Sequence, residues 1–336
     1  MKTSIVILNW NGAEMLRRFL PSVLENSAGA EVVVADNGST DDSLQVLEHD
    51  FSCVRVIKMS RNYGFAEGYN EALRQVESDV YVLLNSDVRV TPGWLTPLIT
   101  CLELHPEVAA LQPKIRCEWA PDEFEYAGAA GGFIDSLGYP YCRGRVMGTV
   151  ETDKGQYDSI LPIFWATGAA LVIRSSDYWK VGGLDGRFFA HQEEIDLCWR
   201  LRSRGRAILC VPQSVVYHLG GGTLPQGSSR KTFLNFRNNL LLLYKNLPER
   251  RLHKVMRLRF WLDALASLQM LLTGQWRSAW AVWQARREFL RMRSDFEASR
   301  RENLSASVLD PIPEQASFSL LWQYYALRHK RYDQLG

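Results

Sequence analysis

Three short stretches combine residue types and spacings that can do chemistry. The first is Val82-Leu-Leu-Asn-Ser-Asp87, where an aliphatic run ends on an amide and a carboxylate two positions apart. In an extended segment, side chains at i and i+2 share a face. Asn85 and Asp87, with Ser86 between them, can then reach one site at a sheet edge and help hold a hard divalent cation with its phosphate oxygens. A plainer part also fits: Asp87 capping a turn ahead of Pro92.

The second stretch is His191-Gln-Glu-Glu-Ile-Asp-Leu-Cys-Trp-Arg200. Glu193, Glu194 and Asp196 crowd like charges at a predicted helix start, where the helix dipole tolerates them. Crowded carboxylates raise one another's pKa, which suits a general base near neutral pH. An ordinary charged first turn is the competing reading. His191 fits either a catalytic or a structural role. The third stretch is Tyr217-His218-Leu-Gly-Gly-Gly-Thr223, a histidine at a strand end before three glycines. Imidazole can join a carboxylate around a divalent ion, and the glycines suit a loop that closes over phosphates. A lone turn histidine fits as well.

Two further sites sit at predicted strand ends, Asn9-Trp10-Asn11 and Asp36-Asn37-Gly-Ser-Thr-Asp41. Asp36 can accept hydrogen bonds from a base or ribose. Arg61, opening Arg-Asn-Tyr-Gly-Phe65, suits a phosphate or ribose. No G-x-G-x-x-G and no G-x-x-x-x-G-K-[ST] is present, which disfavours a dinucleotide cofactor and a nucleotide-hydrolysing P-loop.

These residues need a scaffold that gathers strand ends. Ser4–Leu8, Glu31–Asp36, Val54–Lys58 and Val80–Leu84 read as buried strands. Helical spacing lies between them, at 13–26, after the 37–42 turn, and at 68–76. Such alternation predicts an α/β fold with a mostly parallel sheet covered on both faces, whose sites lie beyond the carboxyl ends of the strands. The 126–148 region predicts irregular strands and loops. Residues 169–173, 207–211 and 215–218 read as strands, and 193–204 as a helix. From about Phe233 the chain reads helical, with a boundary near 246–249, giving residues 1–246 and a helical 247–336.

The chain has 336 residues, 46% hydrophobic and 23% charged, with a net charge of only +2. The basic excess is local: residues 250–301 hold twelve Lys or Arg against four Asp or Glu. Those arginines lie beside Trp261, Trp276, Trp280 and Trp283, a combination suited to an anionic membrane surface or to packing on another protein face. No nucleic-acid module accompanies the charge, so nucleic acid is not an expected partner. Six cysteines without a CxxC pair point to reduced thiols. With no signal peptide after Met1 and no apolar run of about 18 residues, the cytoplasm is the expected compartment, with the inner face of the cell membrane as the place of contact.

Taken in order, Asn9-Trp-Asn11, Asp36–Asp41, Arg61–Phe65, Asn85-Ser-Asp87, Glu193–Arg200 and His218 resemble the family 2 glycosyltransferases of GT-A fold. The similarity covers about residues 3–246 and leans toward the rhamnosyltransferase-like subgroup of bacterial polysaccharide assembly. It implies that Asn9, Trp10, Asn11, Asp36 and Asn37 line the nucleoside pocket, with Arg61, Asn85 and Ser86 near the ribose and diphosphate. Asp87 would be the metal-binding member of an Asp-x-Asp signature, and His218 would approach the same Mg2+ or Mn2+. Glu194 stands where the family has its catalytic Asp. Two departures alter the fine geometry: Asn85 replaces the first acid, and Glu194 is one methylene longer.

The resemblance implies an inverting transfer of a sugar from a nucleoside diphosphate to a hydroxyl of a glycan or lipid-linked glycan. Glu194 would be the base. The donor dTDP-rhamnose is favoured by the subgroup alone, and UDP- and GDP-sugars stay open. The acceptor is expected beside Phe164–Gly168, with Trp165 stacking on a sugar or buried in the core. Thr167, His191, Glu193, Asp196 and Arg200 would form the acceptor side or its support. A sugar-nucleotide nucleotidyltransferase and a non-catalytic nucleotide-sugar binding protein are the alternatives.

Overall fold

The computed structural model describes residues 1–220 and 228–336. The strands are β1 (Thr3–Asn9), β2 (Glu31–Asp36), β3 (Arg55–Lys58), β4 (Val80–Asn85), β5 (Val88–Val90), β6 (Val108–Cys117), β7 (Gly132–Ile134), β8 (Pro140–Cys142), β9 (Arg145–Val146), β10 (Thr149–Val150), β11 (Leu161–Pro162), β12 (Ala170–Arg174) and β13 (Ala207–His218). The α-helices are α1 (Ala13–Asn26), α2 (Ser43–His49), α3 (Gly64–Leu73), α4 (Leu95–Leu104), α5 (Ser175–Lys180), α6 (Glu193–Ser203), α7 (Ser229–Asn246), α8 (Glu249–Leu272), α9 (Trp276–Met292) and α10 (Glu297–Ala306). Gly221, Gly222 and the rest of the glycine-rich loop expected to close over phosphates lie outside the described residues.

The main sheet runs β11-β13-β6-β12-β4-β1-β2-β3, with β5 added onto β13. Its β4-β1-β2-β3 half is parallel, because each strand returns through a helix. Ile5, Val6 and Ile7 are at most 2% exposed, as expected for a strand covered on both faces. Each such side chain stabilises the fold by about 1.5–3 kcal/mol relative to exposure. Helix α1 supplies part of the cover by burying Leu16, Phe19, Leu20 and Val23 on one side.

Register decides what stands at the sheet edge. Asn9 pairs with Asp36, Leu8 with Asn85, and Asp36 with Lys58. The polar ends of β1, β2 and β4 therefore form one row. Antiparallel β12 enters beside β4 with Ala170 opposite Leu84, which puts the preceding 166–169 loop at the same edge. Strand β13 brings His218 opposite Val88 of β5.

Two sequence expectations change. Residues 85–87 are not one extended segment: β4 ends at Asn85, Ser86 and Asp87 form a turn, and β5 then pairs with β13. The two runs at 207–211 and 215–218 are one strand with a register shift between Val211 and Val215. The loop-rich 126–148 region contributes to a second sheet, β10-β9-β8-β7.

Residues beyond Asn246 pack back on the rest. Gln315 bridges Ile134, Leu320 N donates to Asp135 Oδ2 (2.7 Å), and Tyr332 lies against Phe133 and Tyr141. Helix α8 is built inside out. Its buried face carries Arg259, Asp263 and Ser267, with Asp263 held by Arg259 (3.4 Å) and by Arg286 of α9 (2.5 Å). Its outer face exposes Trp261 (70%), Leu265 (62%), Leu268 and Leu272 (80%). Among the described residues, no helix is long and apolar enough to cross a membrane.

Candidate active site

The edge row is tied together by short polar side chains. Asn9 is fully buried and donates through Nδ2 to Asp36 Oδ1 (3.2 Å) and Ser39 Oγ (3.3 Å). Asp36 accepts a second bond from Ser39 N at 3.0 Å. Asn11, at φ 51°, accepts from Thr40 N at 2.7 Å. Asn37 accepts from Tyr63 N (2.9 Å) and donates to Gly64 O (2.9 Å) and Asn62 Oδ1 (3.2 Å). These contacts brace the loops after β1, β2 and β3 against one another. Both Asp36 oxygens are already engaged internally, whereas Asn9 Oδ1 is buried without a partner. Trp10, Asn11 and Arg61 are exposed, and the Arg61 guanidinium lies 4.8 Å from the centre of the Tyr63 ring.

Although the 85–87 segment turns, Asn85 and Asp87 both reach His218. Asp87 Oδ1 lies 3.1 Å from His218 Nε2, and Asn85 Nδ2 lies 3.4 Å from the same nitrogen. Behind the ring, Glu125 Oε1 lies 3.4 Å from His218 Nδ1. All three of Asp87, Glu125 and His218 are buried. Burial disfavours charge on the imidazole, but Glu125 and Asp87 outweigh it and push His218 up to about 10. Burial likewise works against the Asp87 carboxylate, and the His218 cation holds it below the usual range. Glu125 had no sequence signal, since it stands far from His218 in the chain and in no motif.

The GT-A resemblance calls for a divalent cation here, and Asp87 Oδ1 and His218 Nε2 would face one once the imidazole gives up the proton that Asp87 and Glu125 favour, because a metal takes the neutral ring. Ligands at ~2.1 Å and at right angles around an octahedral ion lie ~3.0 Å apart, close to the 3.1 Å between Asp87 Oδ1 and His218 Nε2. Among the described residues, no three His, Cys, Asp or Glu side chains are grouped to hold a metal unaided. A Mg2+-like ion commonly takes one or two protein ligands with substrate phosphates supplying others. A carboxylate behind the metal-binding imidazole, as Glu125 stands here, is the usual orienting partner.

Glu193 and Glu194 open α6 after Phe189, His191 and Gln192, all with positive φ (68–74°). Phe65 N donates to Phe189 O (2.8 Å), and the Phe189 ring covers Gly64, where a Cβ would come within 2.6 Å of it. One turn into α6, Cys198 Sγ lies 3.4 Å from Ala166 N. The same loop accepts at Ala169 O from Asn85 N (3.0 Å). Glu194 thus begins a helix pinned to the loops after β3 and before β12.

Each of Glu193 and Glu194 has an Oε2 that is buried with no hydrogen-bond partner. Burial pushes Glu194 up to about 7, against several helix-start amides that favour its charge. Burial and the neighbouring Glu194 raise Glu193 well above the carboxylate range. Burial, with Lys231 nearby, lowers His191 to about 4, and its Nε2 is also unpartnered. Lys231 is itself held down by burial, opposed by the Glu125 charge. It therefore stands within electrostatic reach of both the His191 segment and the carboxylate behind His218.

Other expected residues are buried within the fold. Trp165 does not offer a stacking face: it is 3% exposed, its Nε1 donates to Phe133 O (2.8 Å), and its ring fills the space over Gly132. Thr167 is buried, with its N bonded to Gln112 Oε1 at 3.0 Å. Asp196 and Arg200 turn away from the edge. Asp196 is fully buried among Arg200, Lys245 and Asn246 (2.8–2.9 Å), and Arg200 also binds the Gly183 carbonyl at 2.8 Å. They lock α6 to the end of α7.

Residues 4–167 match the sequence profile described as glycosyl transferase family 2. The chain is similar to the N-acetylglucosaminyl-diphospho-decaprenol L-rhamnosyltransferase of Mycobacterium tuberculosis, 29% identical over 233 residues that cover 64% of this chain and 75% of that protein. Its fold is similar to that of GalNAc-T7 solved with UDP, GalNAc and Mn2+, at 18% identity and a TM-score of 0.56, covering 73% of this chain and 48% of that one. It is also similar to the Pyrobaculum calidifontis mannosyltransferase solved with GDP-Man and Mn2+, at 14% identity and a TM-score of 0.53, covering 90% and 87%. With a helix-flanked mixed sheet that gathers Asn9, Asp36, Asn85 and Asp87 at one edge, the chain carries a GT-A-like fold, its residues 4–167 match glycosyl transferase family 2, and it is an enzyme that transfers a sugar from a nucleotide-sugar donor.

Proposed function

We propose that this protein is an inverting glycosyltransferase that adds a sugar to a hydroxyl of a lipid-linked glycan. The observation that carries the proposal is Glu194: a half-buried carboxylate with one unpartnered oxygen, raised to about 7, at the start of a helix tied through Cys198 to the 166–169 loop, whose Ala169 O accepts from Asn85 N. A base that titrates near neutral pH combines a useful ionised fraction with a real affinity for the proton.

Glu194 takes the proton of the acceptor hydroxyl as its oxygen forms a bond to the anomeric carbon. The bond from that carbon to the diphosphate oxygen breaks, and the leaving diphosphate keeps the electron pair. One displacement from the opposite face inverts the configuration. Asp87 and His218 would hold a Mg2+ or Mn2+, which when bound supplies positive charge to the leaving group. Arg61, exposed and without an acidic partner among the described residues, is suited to the phosphates or the ribose. Asn9, Trp10, Asn11, Asp36, Asn37, Asn85 and Ser86 form the nucleotide side, chiefly by holding its loops.

The M. tuberculosis relative's printed activity supports rhamnose as the first sugar to test, offered as the dTDP donor that the subgroup resemblance favours, and a polyprenyl-diphosphate-linked sugar as the first acceptor. Residues 1–246 would be the catalytic part. The basic 247–336 part, with its outward Trp and Leu side chains, would rest on an anionic membrane at the cytoplasmic face. A panel of dTDP-, UDP- and GDP-sugars with lipid-linked acceptors, read by product mass and anomeric configuration, tests the reading. Retained configuration, or hydrolysis without transfer across the panel, would overturn it.

A further inference from the structure

Helices α7, α8 and α9 run up, down and up, with Tyr244 near the end of α7 against Phe289 near the end of α9 (6.1 Å between ring centres). The starts of α7 and α9 therefore lie at one end of the bundle, where the α8–α9 turn also falls. A groove of about 780 Å3 opens there, lined by Arg230 and Phe233 of α7 and by Trp276, Arg277 and Trp280 of α9. Leu271 and Leu272, 53% and 80% exposed, and Trp276 and Trp280, both 62% exposed, make this end apolar.

The charge in the groove is one-sided. Its acidic lining residue, Glu288, is already paired with Arg291 at 2.5 Å. Arg230 and Arg277 have no carboxylate partner among the described residues; each instead lies over an aromatic ring, Arg230 5.9 Å from Phe189 and Arg277 5.0 Å from Trp276. Phe189 is the residue whose carbonyl anchors Phe65, and it leads through His191 to Glu194. The Arg230 rim of the groove thus lies beside the segment that leads into α6.

Three guanidinium groups without a carboxylate partner among the described residues, Arg230, Arg277 and Arg287, beside exposed indoles and leucines call for a ligand with a multiply charged anionic head and an aliphatic tail. We propose that this groove binds a polyisoprenyl diphosphate, the carrier portion of the acceptor, with the diphosphate on Arg230 and Arg277 and the first isoprene units on Trp276, Trp280 and Leu272. The proposal rests on the lipid-linked reading of the acceptor and adds its binding site. Arginine suits the head because its planar donors match phosphate oxygens. Indole suits the tail because it buries a large apolar area at an interface. The inside-out pattern of α8 then has a cause: its outer leucines continue the surface along which the chain leaves the groove.

The test is titration of the full-length protein with farnesyl diphosphate, inorganic pyrophosphate and farnesol, by calorimetry and without donor. Farnesyl diphosphate is expected to bind at least about tenfold more tightly than either control. The double variant R230Q/R277Q should weaken it by at least about tenfold. W276A/W280A should weaken farnesyl diphosphate by about fivefold or more while leaving pyrophosphate unchanged. Both variants change exposed side chains, and unchanged circular dichroism and melting verify folding. Wild-type affinity in R230Q/R277Q, or displacement of farnesyl diphosphate by saturating dTDP or UDP, overturns the site. A transfer assay separates this from the acceptor reading. Transfer to lipid-free glycosides alone, with groove binding intact, would sink the acceptor reading. An unchanged KM of R230Q/R277Q for a polyprenyl-diphosphate-linked sugar would sink the groove and leave that reading standing.

Discussion

Asp87 Oδ1 and His218 Nε2 face each other across 3.1 Å, because β5 follows Asp87 directly and pairs Val88 with His218. If this pair holds the cation, D87N and H218A should each weaken Mn2+ binding by at least about tenfold, and E125Q should weaken it by about 10–100-fold by releasing the ring. Calorimetric Mn2+ titration reads all three. Chelator-treated wild type should lose transfer and regain it with Mn2+ or Mg2+. Affinity unchanged in both D87N and H218A would place the metal elsewhere.

Glu194 gives a pH dependence with a defined sign. As the base it must be ionised, so kcat should fall as pH drops through about 7. Burial favours its protonated form in the folded chain relative to the unfolded one. That contribution is complete below the unfolded value of 4.5 and is lost as pH rises toward about 7. Replacing Glu194 by Gln should accordingly raise the melting temperature at pH 8 by a few degrees while leaving that at pH 4 nearly unchanged. Equal shifts at both pH values would contradict a raised Glu194.

Trp165 should matter to the fold. Its buried ring covers Gly132 and its N–H is satisfied by Phe133, so W165A should cost about 3–5 kcal/mol in a denaturant unfolding experiment. Acceptor KM, measured on the folded fraction, should change little. A large KM increase with unaltered stability would restore the stacking role.

Asp196 should behave in the same way for an electrostatic reason. Removing it leaves Arg200 and Lys245 buried without their shared carboxylate, so D196A should destabilise by about 3–5 kcal/mol. Donor affinity of the folded protein should be retained. Loss of donor affinity at wild-type stability would count against a purely structural Asp196.

These two residues mark where sequence reading stops. Strands β1, β2 and β4 are legible because each is a nearly uniform apolar run, and the polar residue ending each run marks the sheet edge; β3, Arg55-Val-Ile-Lys58, is legible from its place in the alternation of strands and helices. Strand β6 gave no such signal: it carries Gln112, Pro113, Lys114 and Arg116, with Gln112 serving Thr167 and Lys114 pairing with Asp153 at 2.9 Å. Trp165 was ambiguous because an aromatic ring suits a sugar face and a core equally, and only Gly132 beneath it decides. Asp196 was grouped with Glu193 and Glu194 by proximity in the chain. Along a helix, however, two residues turn a side chain through about 200°, which is why Asp196 faces Lys245 and Asn246 instead of the edge. Glu125 was invisible because long-range pairing alone brings it behind His218.

The central claim is that Glu194 removes the acceptor proton in a cleft whose donor-binding parts do not depend on it. The most direct measurement compares E194Q with wild type under saturating donor, acceptor and Mn2+, alongside calorimetric binding of the donor's nucleoside diphosphate. The account predicts that transfer falls by about 10²–10⁴-fold while nucleotide affinity stays within about threefold. Transfer by E194Q at the wild-type rate would contradict it.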